Sequence, residues 1–278
     1  MRARLLRELR SRVTLSRLKN NNLDMPSATL WLLDGSRVPE EDLAFFVQQL
    51  GASEARRYGC FKRRERKRQF LLGRMLLRFA VSSLMSLPPD VLGLVERTGT
   101  APQLVLPDSE SLLPSFSLSH SRDWVACVVG PNVTLGVDIE VNDPTRDVLG
   151  ISELVFHPDE HCWLLPQIDS ARLSAFYHLW CTREALYKLR SSLGRQRVLS
   201  PLVGVDGVFA SQGPNWHRYT LPHSALTVAI CSDQPLSSLY KIEPTELTRV
   251  DWLAAVSSMD TVTASMIERV NGRCSIEL

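Results

Sequence analysis

Two carboxylates stand two residues apart in the stretch TLGVDIEVNDP, residues 134–144, where Asp138 and Glu140 interrupt an otherwise apolar run. Read as a strand, this segment turns residues i and i+2 to one side, so the two acids share a face while Val137 and Ile139 meet the core. Like charges placed this way repel each other unless a cation lies between them. Farther along, in FYHLWCTREALYK, Glu184 and Lys188 are i, i+4 neighbours on a helix, and Trp180 lies one turn earlier on the same stripe. Packing that stripe against the strand gathers three carboxylates and one ammonium. Oxygen ligands with open positions suit Mg²⁺ or Mn²⁺, which bind substrate phosphate as well. The competing reading is a solvated strand end and an ordinary salt bridge on a helix surface.

A third group lies in PSFSLSHSRDWVACVVG, where Ser119, His120 and Ser121 precede the apolar strand WVACVV. Hydroxyls and an imidazole at a strand end could hold a phosphate; alternatively, His120 is a turn residue bonded to backbone. A nucleophilic serine would call for a G-x-S-x-G elbow, which the sequence lacks. His157 and His161 are four apart in HPDEHC but without the H-E-x-x-H order of a zinc site. The SLYK stretch from Ser238 lacks the companions of an S-x-x-K nucleophile. Neither a P-loop nor a G-x-G-x-x-G fingerprint occurs.

These residues need a scaffold, and 278 residues suffice for one large domain or two small ones with a real core. The 32 basic and 30 acidic side chains nearly cancel, so distribution matters more than the net charge of +2. Between Arg56 and Arg78 the chain carries ten Lys or Arg against one acid, Glu65, which makes a local anion-attracting field. A nucleic-acid stripe is one reading of this run, but few aromatics interleave it for base stacking. The six cysteines are scattered, without C-x-x-C pairs, and read as reduced thiols of a cytoplasmic protein. No apolar run approaches the roughly 20 residues of a membrane span, so no membrane partner is expected.

Residues 1–27 read as a basic extension that loosely resembles a transit peptide, with Met25 a possible natural start. A first strand is predicted over 28–33, and a helix follows from Pro39 to Gly51. A second helix begins near Ser53, and a long amphipathic one runs over 63–86. Short strands are expected at 91–96, 103–106, 115–119 and 123–130. The pattern restarts with the Asp138 strand, helical pieces at SELVF and PDEHCWLL, and a long helix N-capped by Asp169 or Ser170. Strands return at 203–210, 216–220 and 225–231. The expected class is α+β, built as two similar halves, 28–130 and 131–235. Residues 236–278 read as a tail with one helix near 250–269.

Taken in order, FSLSHS (116–121), LGVDIE (135–140), VFHPDEH (155–161) and FYHLWCTREALYK (176–188), supported by RRERKRQFLLGRMLLR (63–78), resemble the 4′-phosphopantetheinyl transferases. The likeness is to the longer type that acts on carrier domains of fatty acid, polyketide and peptide synthases, and it covers roughly residues 28–235. It implies a pseudo-two-fold fold with coenzyme A in the cleft between the halves. It also implies transfer of the phosphopantetheine arm to a serine of an acyl or peptidyl carrier protein, with release of 3′,5′-ADP. By position, Asp138, Glu140 and Glu184 match the Mg²⁺ ligands, Asp138 holding the ion more firmly than Glu140. Lys188 matches a lysine near the pyrophosphate, Ser119 and His120 the pair on the coenzyme A phosphates, and Arg57 or Arg68 a cation for the 3′-phosphate.

Glu184 is the expected base for the carrier serine, acting directly or through a water. A chain that supplies both halves of its own cleft is expected to be a monomer. Two positions depart from the pattern: Arg183 replaces the lysine of W-x-x-K-E, and Ala101 in TGTAPQL replaces the lysine of G-K-P. A binding protein of the same fold, holding coenzyme A or a carrier domain without turnover, is the alternative.

Overall fold

The structure, a computed structural model, describes residues 26–97, 101–106, 113–194, 200–204, 207–257 and 267–270. Strand β1 (Ser27–Asp34) leads through a turn into helices α1 (Glu40–Val47), α2 (Ala52–Cys60) and α3 (Arg64–Met85). Strands β2 (Gly93–Val95) and β3 (Gln103–Val105) form a small hairpin, followed by β4 (Ser115–Ser121) and β5 (Trp124–Gly130). Then come β6 (Leu135–Val141), α4 (Val148–Val155), α5 (Pro158–Leu164) and the long α6 (Asp169–Ser192). Strands β7 (Gln212–Gly213), β8 (Trp216–Thr220), β9 (Leu226–Ser232) and β10 (Ser238–Ile242) precede α7 (Arg249–Ser257) and β11 (Ile267–Val270).

The strands build a five-stranded sheet, β11-β10-β1-β5-β4, and a four-stranded one, β6-β9-β8-β7. Strand alternation explains how the two stack. Leu30 and Leu32 of β1, with Ala126 and Val128 of β5, face Val137 and Ile139 of β6 and Val228 and Ile230 of β9 in one buried cluster. The opposite faces of the sheets bury Trp31, Leu33, Val125 and Cys127 under α3, and Ala229 and Cys231 under α6. The order of layers is therefore α3, sheet, sheet, α6, a mixed α+β architecture.

Most predicted elements stand within a few residues of their expected bounds. Helix α6 starts one residue early, with Ile168 as N-cap, and Asp169 forms an i, i+3 ion pair with Arg172 instead of capping. In place of a strand over 203–210, the described residues carry one isolated bridge, Val203 with Phe209. The C-terminal segment differs most from a tail. Strand β10 pairs parallel with β1, and β11, at the end of the range expected to be helical, pairs with β10. Trp252 of α7 stacks edge-on against Phe46 and Phe79. Residues 1–25, which hold the extension and Met25, lie outside the described residues.

Candidate functional site

Strand β6 runs antiparallel to β9 and presses its other broad face on α6. Gly136 makes that contact possible: a Cβ there would sit 2.0 Å from the Ala185 carbonyl oxygen and 2.8 Å from the Leu189 nitrogen. Both are backbone atoms of α6 that no rotamer change can move. The glycine of LGVDIE therefore sets how closely strand and helix approach, and the next residue on that face is Asp138.

At this contact Lys188 Nζ donates to Asp138 Oδ1 at 2.8 Å and to the Val137 carbonyl at 2.8 Å. Ser119 Oγ from β4 donates to the same Oδ1 at 2.7 Å. Asp138 is only 6% exposed, and its Oδ2 is buried without a hydrogen-bond partner. A buried carboxylate oxygen without a donor is costly. Glu140, partly buried, accepts from Ser121 Oγ at 2.6 Å. Its carboxyl is pushed above the usual range, first by desolvation and also by Asp138. Glu184 stands one helical turn before Lys188 and is partly buried.

Among the described residues, no three His, Cys, Asp or Glu side chains converge closely enough to hold a metal ion as they stand. The chemistry of the cluster nevertheless fits a hard divalent cation. Its donors are carboxylate oxygens, and the bare Asp138 Oδ2 is an anionic oxygen that a cation would satisfy.

Ser119 and His120 leave opposite faces of β4. Residues 115–121 are all strand, so Ser119 turns inward to Asp138 while His120 turns to the other side. There Arg66 Nη1 contacts His120 Nε2 and packs 5.8 Å from the Phe61 ring centre. Crowding of its ring, then the cations Arg66 and Lys188, push the His120 imidazole down to about 4.

The basic run divides into parts that composition could not separate. Arg68 is largely occupied by its own fold, donating to the carbonyls of Gly35 and Val38 and to Glu40. Arg78 and Arg74 are buried against Glu54 and Glu96. Arg57 is about half exposed and pairs with Glu96 at 3.4 Å. Arg66, indistinguishable from its neighbours in sequence, is the cation that reaches His120.

Arg183 also has a structural partner. Its Nε donates to Glu160 Oε2 at 2.8 Å, and Glu160, fully buried, accepts the Leu202 and His157 backbone N–H groups as well. One carboxylate thus joins α5, α6 and the segment at Leu202. Ala101 is exposed ahead of β3. Arg146, unremarked in the sequence, places its guanidinium 5.7 Å from the Trp180 ring centre, one turn before Glu184. His157 caps α5 and His161 bonds Ser152, which is structural work for both histidines.

The sequence is similar to known proteins over this region. The model of the 4′-phosphopantetheinyl transferase superfamily matches residues 134–233, from β6 through β9. The 4′-phosphopantetheinyl transferase psf-1 of Bacillus pumilus is 36% identical over 124 residues, 44% of this chain and 49% of that protein. The 4′-phosphopantetheinyl transferase HetI of Nostoc sp. is 29% identical over 150 residues, 54% of this chain and 63% of its own. The 4′-phosphopantetheinyl transferase AcpT of Salmonella typhimurium is 30% identical over 183 residues, 66% of this chain and 80% of its own. The chain thus spans about half of psf-1 and under two thirds of HetI, but most of AcpT.

Proposed function

The chain belongs to the 4′-phosphopantetheinyl transferase superfamily, and on that footing we propose that it moves the phosphopantetheine arm of coenzyme A to a serine of an acyl or peptidyl carrier protein. The observation that carries this reading is the Asp138 carboxylate, clamped at Oδ1 by Lys188 and Ser119 and bare at Oδ2.

In this reading Asp138, Glu140 and Glu184 hold Mg²⁺ or Mn²⁺, with Asp138 the firmest ligand because it is the most buried and already oriented. The ion, when bound, neutralises pyrophosphate charge that would otherwise repel an oxygen nucleophile. Lys188 uses two of its three N–H donors on Val137 and Asp138, and the third serves the pyrophosphate. Glu184 takes the proton of the carrier serine as its oxygen bonds to the phosphorus next to pantetheine. The bond from that phosphorus to the bridging oxygen breaks, and 3′,5′-ADP leaves with Lys188 stabilising its new charge. His120 and Arg66 meet the outer phosphates, and Arg57 is better exposed than Arg68 for the 3′-phosphate.

The layering supports two halves, 28–130 and 131–235, each a sheet covered by one long helix, although β10 and β11 from beyond residue 235 complete the first sheet. The cation-rich face of α2 and α3 would also favour an acidic carrier domain. No described helix is long and apolar enough to cross a membrane, and a cytoplasmic monomer remains our reading. Release of 3′,5′-ADP from coenzyme A, dependent on both an apo carrier protein and Mg²⁺, tests the reaction. Tight coenzyme A binding without release would favour the non-catalytic alternative.

A further inference from the structure

Strand β4 meets β6 through its side chains. Ser115, Ser117, Ser119 and Ser121 occupy alternate positions, and their hydroxyl oxygens accept the N–H groups of Leu135, Val137, Ile139 and Val141 at 3.2, 3.1, 3.4 and 3.0 Å. The constant offset means that the two strands run side by side in parallel, although they are edges of different sheets. Edge N–H groups that a neighbouring strand would normally satisfy are satisfied here by hydroxyls.

A serine hydroxyl that accepts a bond still has one proton to give. On two rungs of this ladder the proton goes to a carboxylate of the candidate cation site: Ser119 Oγ to Asp138 Oδ1, and Ser121 Oγ to Glu140 Oε2. The N–H of Val141 fixes the Ser121 oxygen, and the Ser121 proton in turn fixes the side chain of Glu140. Ser117 is equally buried and accepts the same kind of N–H, but donates to neither carboxylate.

We propose that Ser121 is a positioning residue for the divalent-cation site, holding one oxygen of Glu140 so that the other is presented to the ion. The inference rests on the reading of Asp138, Glu140 and Glu184 as ligands. It makes the joint between the sheets part of the site: the same hydroxyls that fasten β4 to β6 aim the acids.

The test is Mn²⁺ affinity of the full chain with coenzyme A and no carrier protein, read from the free-ion electron paramagnetic resonance signal and corrected for Mn²⁺ held by coenzyme A alone. Ser121→Ala should weaken Mn²⁺ binding about 10-fold or more, as loss of an orienting partner of a ligand commonly does. Ser121→Thr, which keeps the hydroxyl, should bind like the unaltered chain. Ser117→Ala should lower the melting temperature while leaving Mn²⁺ affinity unchanged, which separates aiming from fastening. Equal affinity in Ser121→Ala and the unaltered chain, or an equal loss in Ser117→Ala, would overturn the proposal. If the unaltered chain held no Mn²⁺ beyond that bound by coenzyme A, the cation reading itself would fall, and this inference with it.

Discussion

Lys188 Nζ lies 2.8 Å from both the Asp138 carboxylate and the Val137 carbonyl, so a single ammonium ties helix α6 to side chain and backbone of strand β6. It is partly solvent-exposed, with 28% of its side chain accessible, so it can meet a ligand without leaving Asp138. Lys188→Met keeps the stem and removes the charge. We expect kcat to fall by about 10²–10³, the usual cost of losing one donor to developing charge. Stability should also fall, by about 3–5 kcal/mol, because Asp138 is left buried without its cation. Steady-state kinetics beside urea melts check both, and an unchanged kcat would remove Lys188 from the chemistry.

Gly136 is predicted to be the least replaceable residue of the LGVDIE motif. Gly136→Ala drives a methyl into the Ala185 carbonyl, so β6 must withdraw from α6 and carry Asp138 away from Lys188. A loss of about 1–3 kcal/mol or more is expected, in the range of overpacked cores. Thermal unfolding reads the loss, and native stability in this variant would contradict the close approach.

The His120 imidazole is predicted to stay neutral well below its ordinary value. Well above pH 6.5 the ring is neutral in both folded and unfolded chains, so it contributes nothing to pH dependence there. As pH falls from there toward about 4, the unfolded chain takes a proton that the folded chain refuses, and stability declines through that window. His120→Gln should flatten that part of the stability–pH curve. An NMR titration should give a His120 midpoint far below the ordinary value, rising when coenzyme A brings phosphates. A midpoint near 6.5 in the free protein would contradict the desolvation of the ring and the two cations beside it.

Arg183 is predicted to act on stability before catalysis. Arg183→Met leaves Glu160 buried without its cation, at a cost of about 3–5 kcal/mol. Arg183→Lys keeps the charge and should cost less. Urea midpoints decide the matter; a midpoint unmoved by Arg183→Met would mean that the Glu160 pair is dispensable.

Period-two patterning made β1, β5, β6 and β9 legible in the sequence, because their alternate residues serve two different buried faces. The i, i+2 acids on β6 and the i, i+4 pair on α6 were legible for the same geometric reason. Partners distant in sequence were not. The alternation of serines in SFSLSHS was visible, but nothing local says that it faces the β6 edge. The strand over 115–119 was legible, but not that it continues to Ser121 and so sends Ser119 and His120 to opposite faces. A run of ten cations cannot reveal that Arg68 serves the Gly35 and Val38 carbonyls while Arg66 reaches His120. Parallel pairing of β10 with β1 joins residues some two hundred apart, which no window of sequence can capture.

The central claim is that this chain transfers phosphopantetheine through the Asp138 site, and intact-mass spectrometry of an apo carrier protein tests it most directly. Incubated with coenzyme A and Mg²⁺, the unaltered chain should add one phosphopantetheine mass to the carrier serine. Asp138→Ala, shown to be folded by its circular dichroism, should add none in the same time. No addition by the unaltered chain to any of several acyl and peptidyl carriers, or equal addition by Asp138→Ala, would contradict the account.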